Sequence, residues 1–196
     1  MEDIILNILE ASITVKDRCI RDHMDLIIKS ADLLTTCLTT GHKVLIFGNG
    51  GSAADAQHIA AEFVNRFQIE RHPLAAIALT TDTSIITSIA NDYHFDEIFA
   101  KQILALGKAD DVAIGISTSG NSENVNKAVH TARDLGIFTI GFTGRGGKLA
   151  EYADLVFRVE SDSTARIQET HITLSHILCD LMERILFGSL KPSSCS

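Results

Sequence analysis

From Val44 onward the chain alternates short, unbroken apolar runs with longer stretches whose apolar residues recur every three to four positions. Val44–Phe47, Leu74–Leu79, Val112–Ile116, Phe138–Phe142 and Leu155–Val159 read as five strands. Runs without polar alternation suit a parallel sheet covered on both faces. Helical patterns fall between them at Ser52–Phe67, Ser84–Leu106 (interrupted near Asn91), Ser122–Leu135 and Lys148–Tyr152. A long final helix covers about Thr164 to Phe187. This order predicts an α/β fold: a doubly wound, five-stranded parallel sheet that binds ligands at the carboxyl ends of its strands.

Before the first strand lie about forty residues of helical pattern, with one apolar cluster at Ile4, Ile5, Ile8 and Leu9 and more at Leu26, Ile27, Leu33, Leu34 and Leu38. Such a segment can cap the sheet or pack on another subunit. We expect a single domain over 1–196, with residues 1–40 as a packing and oligomerisation segment and 43–188 as the ligand-binding core. Lys191–Ser196 reads as a frayed tail.

Composition narrows the function classes. The 196 residues are 45% apolar and 21% charged, with a formal net charge of −8. That balance argues against nucleic acid and acidic membrane surfaces as partners. Cys19, Cys37, Cys179 and Cys195 form no CxxC pair, which fits a reducing cytoplasm and offers no thiolate metal site. The acidic start, MEDIILNILEAS, lacks the basic region of a signal peptide, and no apolar run approaches membrane-spanning length. The expectation is a cytoplasmic protein.

Two loops carry the strongest chemical signal. Gly48–Ala54 (GNGGSAA) and Ile116–Ser122 (ISTSGNS) each follow a strand and lead into a helix. Helix N-termini offer unpaired N–H groups and the positive dipole end, hydroxyls add donors, and glycine lets the backbone come close. Gly48, Gly50 and Ala53 also match the dinucleotide pattern G-x-G-x-x-A, but no acidic residue follows the second strand at ribose-binding spacing, and there is no Walker lysine. Ser117, Thr118, Ser119 and Ser122 suit a monophosphate better, although Ser122 alone could be an ordinary helix cap.

Two helices carry polar residues opposite their core stripes. On the first, Ala56, Ile59, Ala60, Phe63 and Phe67 face the sheet, while Asp55, His58, Glu62 and Arg66 share the other side. His58 and Glu62, four apart, could be metal ligands or an acid/base pair; the plainer reading is a solvated face with a Glu62–Arg66 salt bridge. On the last helix, Ile167, Thr170, Leu174, Ile177, Leu178, Leu181 and Ile185 form the apolar face. Gln168 and His176 lie opposite, beside Ile172, Cys179 and Leu186. A helix apolar nearly all round is covered on two sides, by a subunit interface or a roofed site. The plainer reading of His176 is a satisfied core histidine.

The segments FGNGGSAADAQHIAAEF, IANDYHFDE, ISTSGNSENV and ARIQETHITLSHILCDLMER closely resemble the sedoheptulose 7-phosphate (phosphoheptose) isomerases of the sugar-isomerase (SIS) domain superfamily. The resemblance implies a flavodoxin-like three-layer sandwich. It also implies an aldose–ketose isomerisation of a phosphorylated seven-carbon sugar, opening the route to ADP-heptose for lipopolysaccharide. By that resemblance Ser117, Thr118, Ser119 and Ser122 would hold the phosphate near Ser52. Asn49, Gly50 and Gly51 would line the site, and Asn91 and Asp92 would meet sugar hydroxyls. His58, Glu62, Gln168 and His176 match the family's zinc ligands, one Zn2+ per subunit. Glu62 and His176 would be the catalytic base and proton shuttle, with Gln168 and Glu62 also touching substrate. A homotetramer with sites between subunits is implied as well.

Other stretches, NRFQIER, IALTTD and DEIFAKQILALG, also resemble a non-catalytic branch that associates with the replication initiator. That branch is expected to lack the Glu–His pair, so Glu62 and His176 favour an enzyme. A phosphosugar sensor without turnover and a nicotinamide-dependent oxidoreductase are the remaining alternatives.

Overall fold

A computed structural model describes residues 1–188; the expected tail at Lys191–Ser196 and Cys195 lie outside the described residues. Two helices, α1 (Glu2–Asp22) and α2 (Met24–Thr39), precede strand β1 (Val44–Gly48) and helix α3 (Gly51–Val64). Then follow β2 (Ala76–Ala78), α4 (Thr83–Asp92), a single 3-10 turn at Phe95–Glu97 and α5 (Ala100–Leu106). The second half runs β3 (Val112–Ser117), α6 (Glu123–Asp134), β4 (Phe138–Thr143), α7 (Leu149–Tyr152), β5 (Leu155–Arg158) and α8 (Thr164–Phe187).

All five strands are parallel, in the order β2-β1-β3-β4-β5. Alternate residues of each strand face opposite layers. Val44, Ile46, Val112, Ile114 and Phe142 pack with Ile27, Leu34, Ile59, Phe63, Leu174 and Leu178, under α1, α2, α3 and α8. Leu45, Phe47 and Ala113 pack with Phe99, Ile103, Val125, Val129 and Leu149, under α5, α6 and α7. The strand order reverses between β1 and β3, and crevices at such switch points are where open α/β sheets bind ligands. Gly48 is in register with Ile116 there, so the two glycine- and serine-rich loops leave the sheet side by side.

Several boundaries differ from the sequence reading for local reasons. The second strand is Ala76–Ala78 rather than Leu74–Leu79, because Pro73 has no amide and the Leu74 N–H turns back to the Phe63 carbonyl. α3 ends at Val64 rather than Phe67, where the Arg71 guanidinium takes the carbonyls of Glu62 and Phe63. The expected Glu62–Arg66 bridge is therefore absent: Arg66, beyond the helix, lies 3.4 Å from Glu70. The Ser84–Leu106 pattern resolves into α4, the 3-10 turn and α5, broken just after Asn91 as its interruption suggested.

On α8 the inner face is also different. Cys179 is fully buried, not outward, and His171, Ser175, Met182 and Glu183 join the buried set, while Ile177, Leu181 and Ile185 are only half-buried. In the N-terminal segment Ile27 and Leu34 are buried, but Ile4, Ile5, Ile8 and Leu9 stay 52–63% exposed, so this part of α1 does not pack on its own sheet. No helix among the described residues is long and apolar enough to cross a membrane.

Candidate active site

The first loop is shaped by steric necessity. A Cβ on Gly48 would lie 2.8 Å from the Ile116 carbonyl and from the Ser52 Cβ, and Gly50 has φ +55° at the start of α3. No side chain caps α3, so its first N–H groups face the switch point, beside the buried Ser52.

In the second loop the hydroxyls converge. Ser117 Oγ donates to Ser122 Oγ at 3.0 Å and lies 3.5 Å from Ser119 Oγ, which accepts the Asn121 N–H. Ser122 occupies the N-cap position of α6, yet no side chain caps that helix: its hydroxyl turns to Ser117 instead. The α6 N-terminus therefore also faces the loop uncapped. Thr118 is half-buried, and its carbonyl accepts the Gly144 N–H. A Cβ on Gly120 (φ +67°) would lie 1.8 Å from the Gly146 carbonyl, so the loop rests directly on the segment after β4. That segment is braced from α8, where buried His171 donates Nε2–H to the Thr143 carbonyl at 3.1 Å.

Asn49 ties the two loops together. Its carboxamide pairs with that of buried Asn124 in the first turn of α6, one N–H···O bond in each direction. Nothing in the sequence marks Asn124, because an asparagine in a first helical turn carries no distinctive signal.

The second half of the site is built by α3 and α8 lying side by side and running in the same direction. Gly51 lies against the Gln168 carboxamide, His58 touches His176, and the Phe67 N–H, just past the end of α3, donates to Glu183, in the same order as along α8. His58 Nε2 is 3.1 Å from Glu62 Oε1 and 3.3 Å from His176 Nε2. A single imidazole nitrogen cannot both donate to the carboxylate and accept from the second ring. Phe67 stacks at 5.4 Å from the His176 ring. Burial holds the His176 pKa below its ordinary value, with His58 adding to the effect and Glu62 opposing it. Asp55, one turn before His58, has a buried Oδ2 without a partner, and desolvation raises its pKa against the pull of His58.

Two imidazoles, a carboxylate and the Gln168 carboxamide are donor types that a divalent metal accepts. Around a tetrahedral zinc with N and O ligands at roughly 2.0–2.1 Å, neighbouring donors lie ~3.3–3.4 Å apart, close to the separations seen here. Among the described residues no group of three or more His, Cys, Asp or Glu side chains is placed so that it could hold a metal ion as it stands. His58 Nε2 is the shared neighbour of the Glu62 carboxylate and the His176 ring. Gln168 lies on the same side of α8, two turns earlier.

Asn91 and Asp92 stand apart. They close α4, a helix with no buried residue, and Asn91 Nδ2 donates to Asp92 Oδ1 at 2.8 Å. No hydrogen bond or ion pair among the described residues joins them to the α3–α8 cluster. A cleft of about 760 Å³ opens at the other end of the sheet between His42, Asp110, Arg133, Phe138 and Asp154. It contains none of the residues above, which lie instead at the carboxyl ends of the strands.

With this geometry in place, comparison with known proteins is decisive. Residues 9–144 match the SIS domain family model. The phosphoheptose isomerase of Thermodesulfovibrio yellowstonii is 55% identical over 188 residues, covering 95% of this chain and 94% of its own. That of Aquifex aeolicus is 55% identical over 183 residues, covering 93% and 96%. The solved phosphoheptose isomerase of Neisseria gonorrhoeae superposes with a TM-score of 0.88 at 45% identity, covering 94% of this chain and 99% of that one. The one from Francisella tularensis gives 0.89 at 43% identity, covering 93% and 97%. The chain belongs to the phosphoheptose isomerases of the SIS domain family and is a sugar-phosphate isomerase.

Proposed function

We propose that this isomerase converts sedoheptulose 7-phosphate to D-glycero-D-manno-heptose 7-phosphate, the first step toward ADP-heptose for the lipopolysaccharide core, in the cytoplasm. The observation that carries the reading is the pairing of a hydroxyl-lined anion cradle with a Glu–His cluster along one helix. α3 begins at the cradle with Ser52 and carries His58 and Glu62 roughly 9 and 15 Å further along its axis. Side chains on a helix lean toward its N-terminus, which shortens that span. A phosphate held at the loops would thus place the far end of an extended seven-carbon sugar near Glu62 and His176.

In this reading Ser117, Thr118, Ser119 and Ser122 hold the phosphate with the uncapped starts of α3 and α6. Glu62 removes the proton from carbon-1 of the ketose, giving an enediolate, and returns it to carbon-2. Neutral His176 takes the hydroxyl proton from oxygen-1 and delivers it to oxygen-2, so the net change is one shifted carbonyl. His58, Glu62, Gln168 and His176 would hold one Zn2+, which when bound would polarise the carbonyl and steady the enediolate oxygen. A carboxylate held tightly by a cation is a poorer base, so the assignment requires a loose hold on Glu62. Gly50 and Gly51 line the site, and Asn91 and Asp92 are assigned to sugar hydroxyls in the assembled protein.

The assembly we propose is a homotetramer with sites between subunits. The exposed apolar residues of α1 and the unburied α4 support it, because isolated copies leave both faces uncovered. The test is direct: purified protein is mixed with sedoheptulose 7-phosphate and aldose formation followed by NMR. Turnover by the wild type that falls at least ~100-fold in Glu62→Gln and His176→Ala is expected. Substrate binding without turnover would instead make this chain a sensor or adaptor.

A further inference from the structure

Arg71 and Glu183 form an ion pair that water does not reach: their side chains are 1% and 0% exposed. Burying two charges is unfavourable unless every donor and acceptor is matched. Here they are matched almost entirely by backbone. Glu183 accepts the N–H groups of Phe67, Gln68 and Ile69 at 2.7–2.8 Å and Arg71 Nε at 2.8 Å. Arg71 in turn donates to the carbonyls of Glu62 and Phe63, each at 2.8 Å, and of His72 at 3.1 Å. The carbonyls of a last helical turn have no partners within the helix, and the guanidinium fork supplies them.

The placement of the pair matters more than its strength. Arg71 holds the main chain of Glu62 itself. Glu183 lies seven residues after His176, two turns along the same face of α8. The pair therefore links the helix of Glu62 to the helix of His176 just beyond the point where His58 meets His176. Apolar packing between parallel helices allows sliding by a fraction of the 1.5 Å rise per residue, whereas directional bonds to a buried carboxylate do not.

We propose that Arg71 and Glu183 are positioning residues that fix the register of α3 against α8, and through it the reach of Glu62 to the reacting carbons beside His176. This rests on the isomerase reading given above. The role differs from stabilisation in general, because a misplacement of about 1 Å in a reacting group is worth on the order of 100-fold in rate.

The experiment compares Glu183→Gln and Arg71→Lys with a control, Asp111→Asn. Asp111 is equally buried and pairs with Lys43, but at the opposite end of the sheet. Thermal midpoint, kcat and KM for the phosphoheptose, and crystal structures are measured for all. The expected result is a fall in kcat of about 100-fold for Glu183→Gln and about 10-fold for Arg71→Lys, with KM changed less than threefold. Their crystal structures should show α3 displaced along α8, and Asp111→Asn should lose thermal stability with kcat unchanged. Should Glu183→Gln fail to fold, Arg71→Lys, which keeps the charge but not the fork, decides. Folded variants with wild-type kcat, or with α3 in its original register, overturn the proposal. A wild type without turnover overturns the isomerase reading instead, and the crystal structures still decide the register.

Discussion

Asn49 and Asn124 clasp each other edge to edge: each carboxamide donates one N–H to the other's oxygen, at 2.8 and 2.9 Å. The family resemblance marks Asn49 as a residue lining the site, but its side chain is occupied by this pairing. What it supplies is a fixed distance between the loop after β1 and the loop after β3. Replacing Asn124 with alanine leaves the Asn49 amide unpaired in a half-buried position, a loss of about 1–3 kcal/mol. Asn124→Ala should therefore lower the urea midpoint and raise KM for the phosphosugar several-fold, with kcat less affected. An unchanged KM in a folded Asn124→Ala would show that the loops keep their spacing without the clasp.

Gly51→Ala separates site geometry from stability. Alanine is a better helix former than glycine by about 1 kcal/mol, so the substitution alone should not weaken α3. Its Cβ, however, would lie 2.4 Å from Gln168 Nε2. The flexible carboxamide must move, and it is the group assigned to the metal and the substrate. The expected outcome is a thermal midpoint equal to or above wild type with kcat/KM reduced about tenfold, read by melting curves and the NMR assay. Full activity would remove Gln168 from the site.

His171 makes stability depend on pH. It is fully buried, and desolvation pulls its pKa from 6.5 to about 4, only partly opposed by its bond to the Thr143 carbonyl. The unfolded chain takes up this proton near pH 6.5 and the folded chain only near 4. Stability should therefore fall as pH drops through that window, by up to about 3 kcal/mol from this residue alone. His171→Gln retains a donor for Thr143 without a titrating group, and its stability should be flatter between pH 6.5 and 4. Carboxylates such as Glu183 and Glu169 also lose stabilising contacts on acidification, but equally in both proteins. Parallel urea midpoints for the two proteins from pH 7 to 4 would refute the assignment.

The legible part of this molecule was what local pattern encodes. Five apolar runs became five strands because the inner three, β1, β3 and β4, are buried on both faces and the edge strands β2 and β5 pair with them, and the hydroxyls of Ser117, Ser119 and Ser122 met because six residues of turn cannot separate them. The parts that were not legible depend on partners distant in sequence. Nothing near Glu183 announces that its carboxylate will meet the backbone of residues 67–69, more than a hundred positions earlier. The pairing of Asn49 with Asn124 was hidden in the same way. On α8 the apolar stripe pointed toward Ile177, Leu181 and Ile185, whereas His171, Ser175 and Glu183 occupy the core because each finds a hydrogen-bond partner there. Asn91 and Asp92 were placed in the site by resemblance, and in a single chain they pair with each other.

The crowding at His58 leads to the last prediction. Its Nε2 faces a carboxylate oxygen at 3.1 Å and a second imidazole nitrogen at 3.3 Å. A proton on that nitrogen goes to Glu62 and leaves His58 no lone pair to accept from His176, while a proton on His176 goes to His58 and sets the His58 lone pair against the Glu62 carboxylate. A cation accepts all three lone pairs at once, so the metal-free arrangement is the less comfortable one. Zinc should therefore stabilise the folded chain, by about 2.7 kcal/mol when free zinc is a hundredfold above its dissociation constant. Melting curves with zinc and with a chelator should differ for the wild type by several degrees. The difference should shrink sharply in His176→Ala and His58→Ala, while Asp111→Asn, far from the cluster, should keep it. Identical curves with zinc and chelator in the wild type would mean that His58, Glu62 and His176 act as a metal-free acid/base cluster.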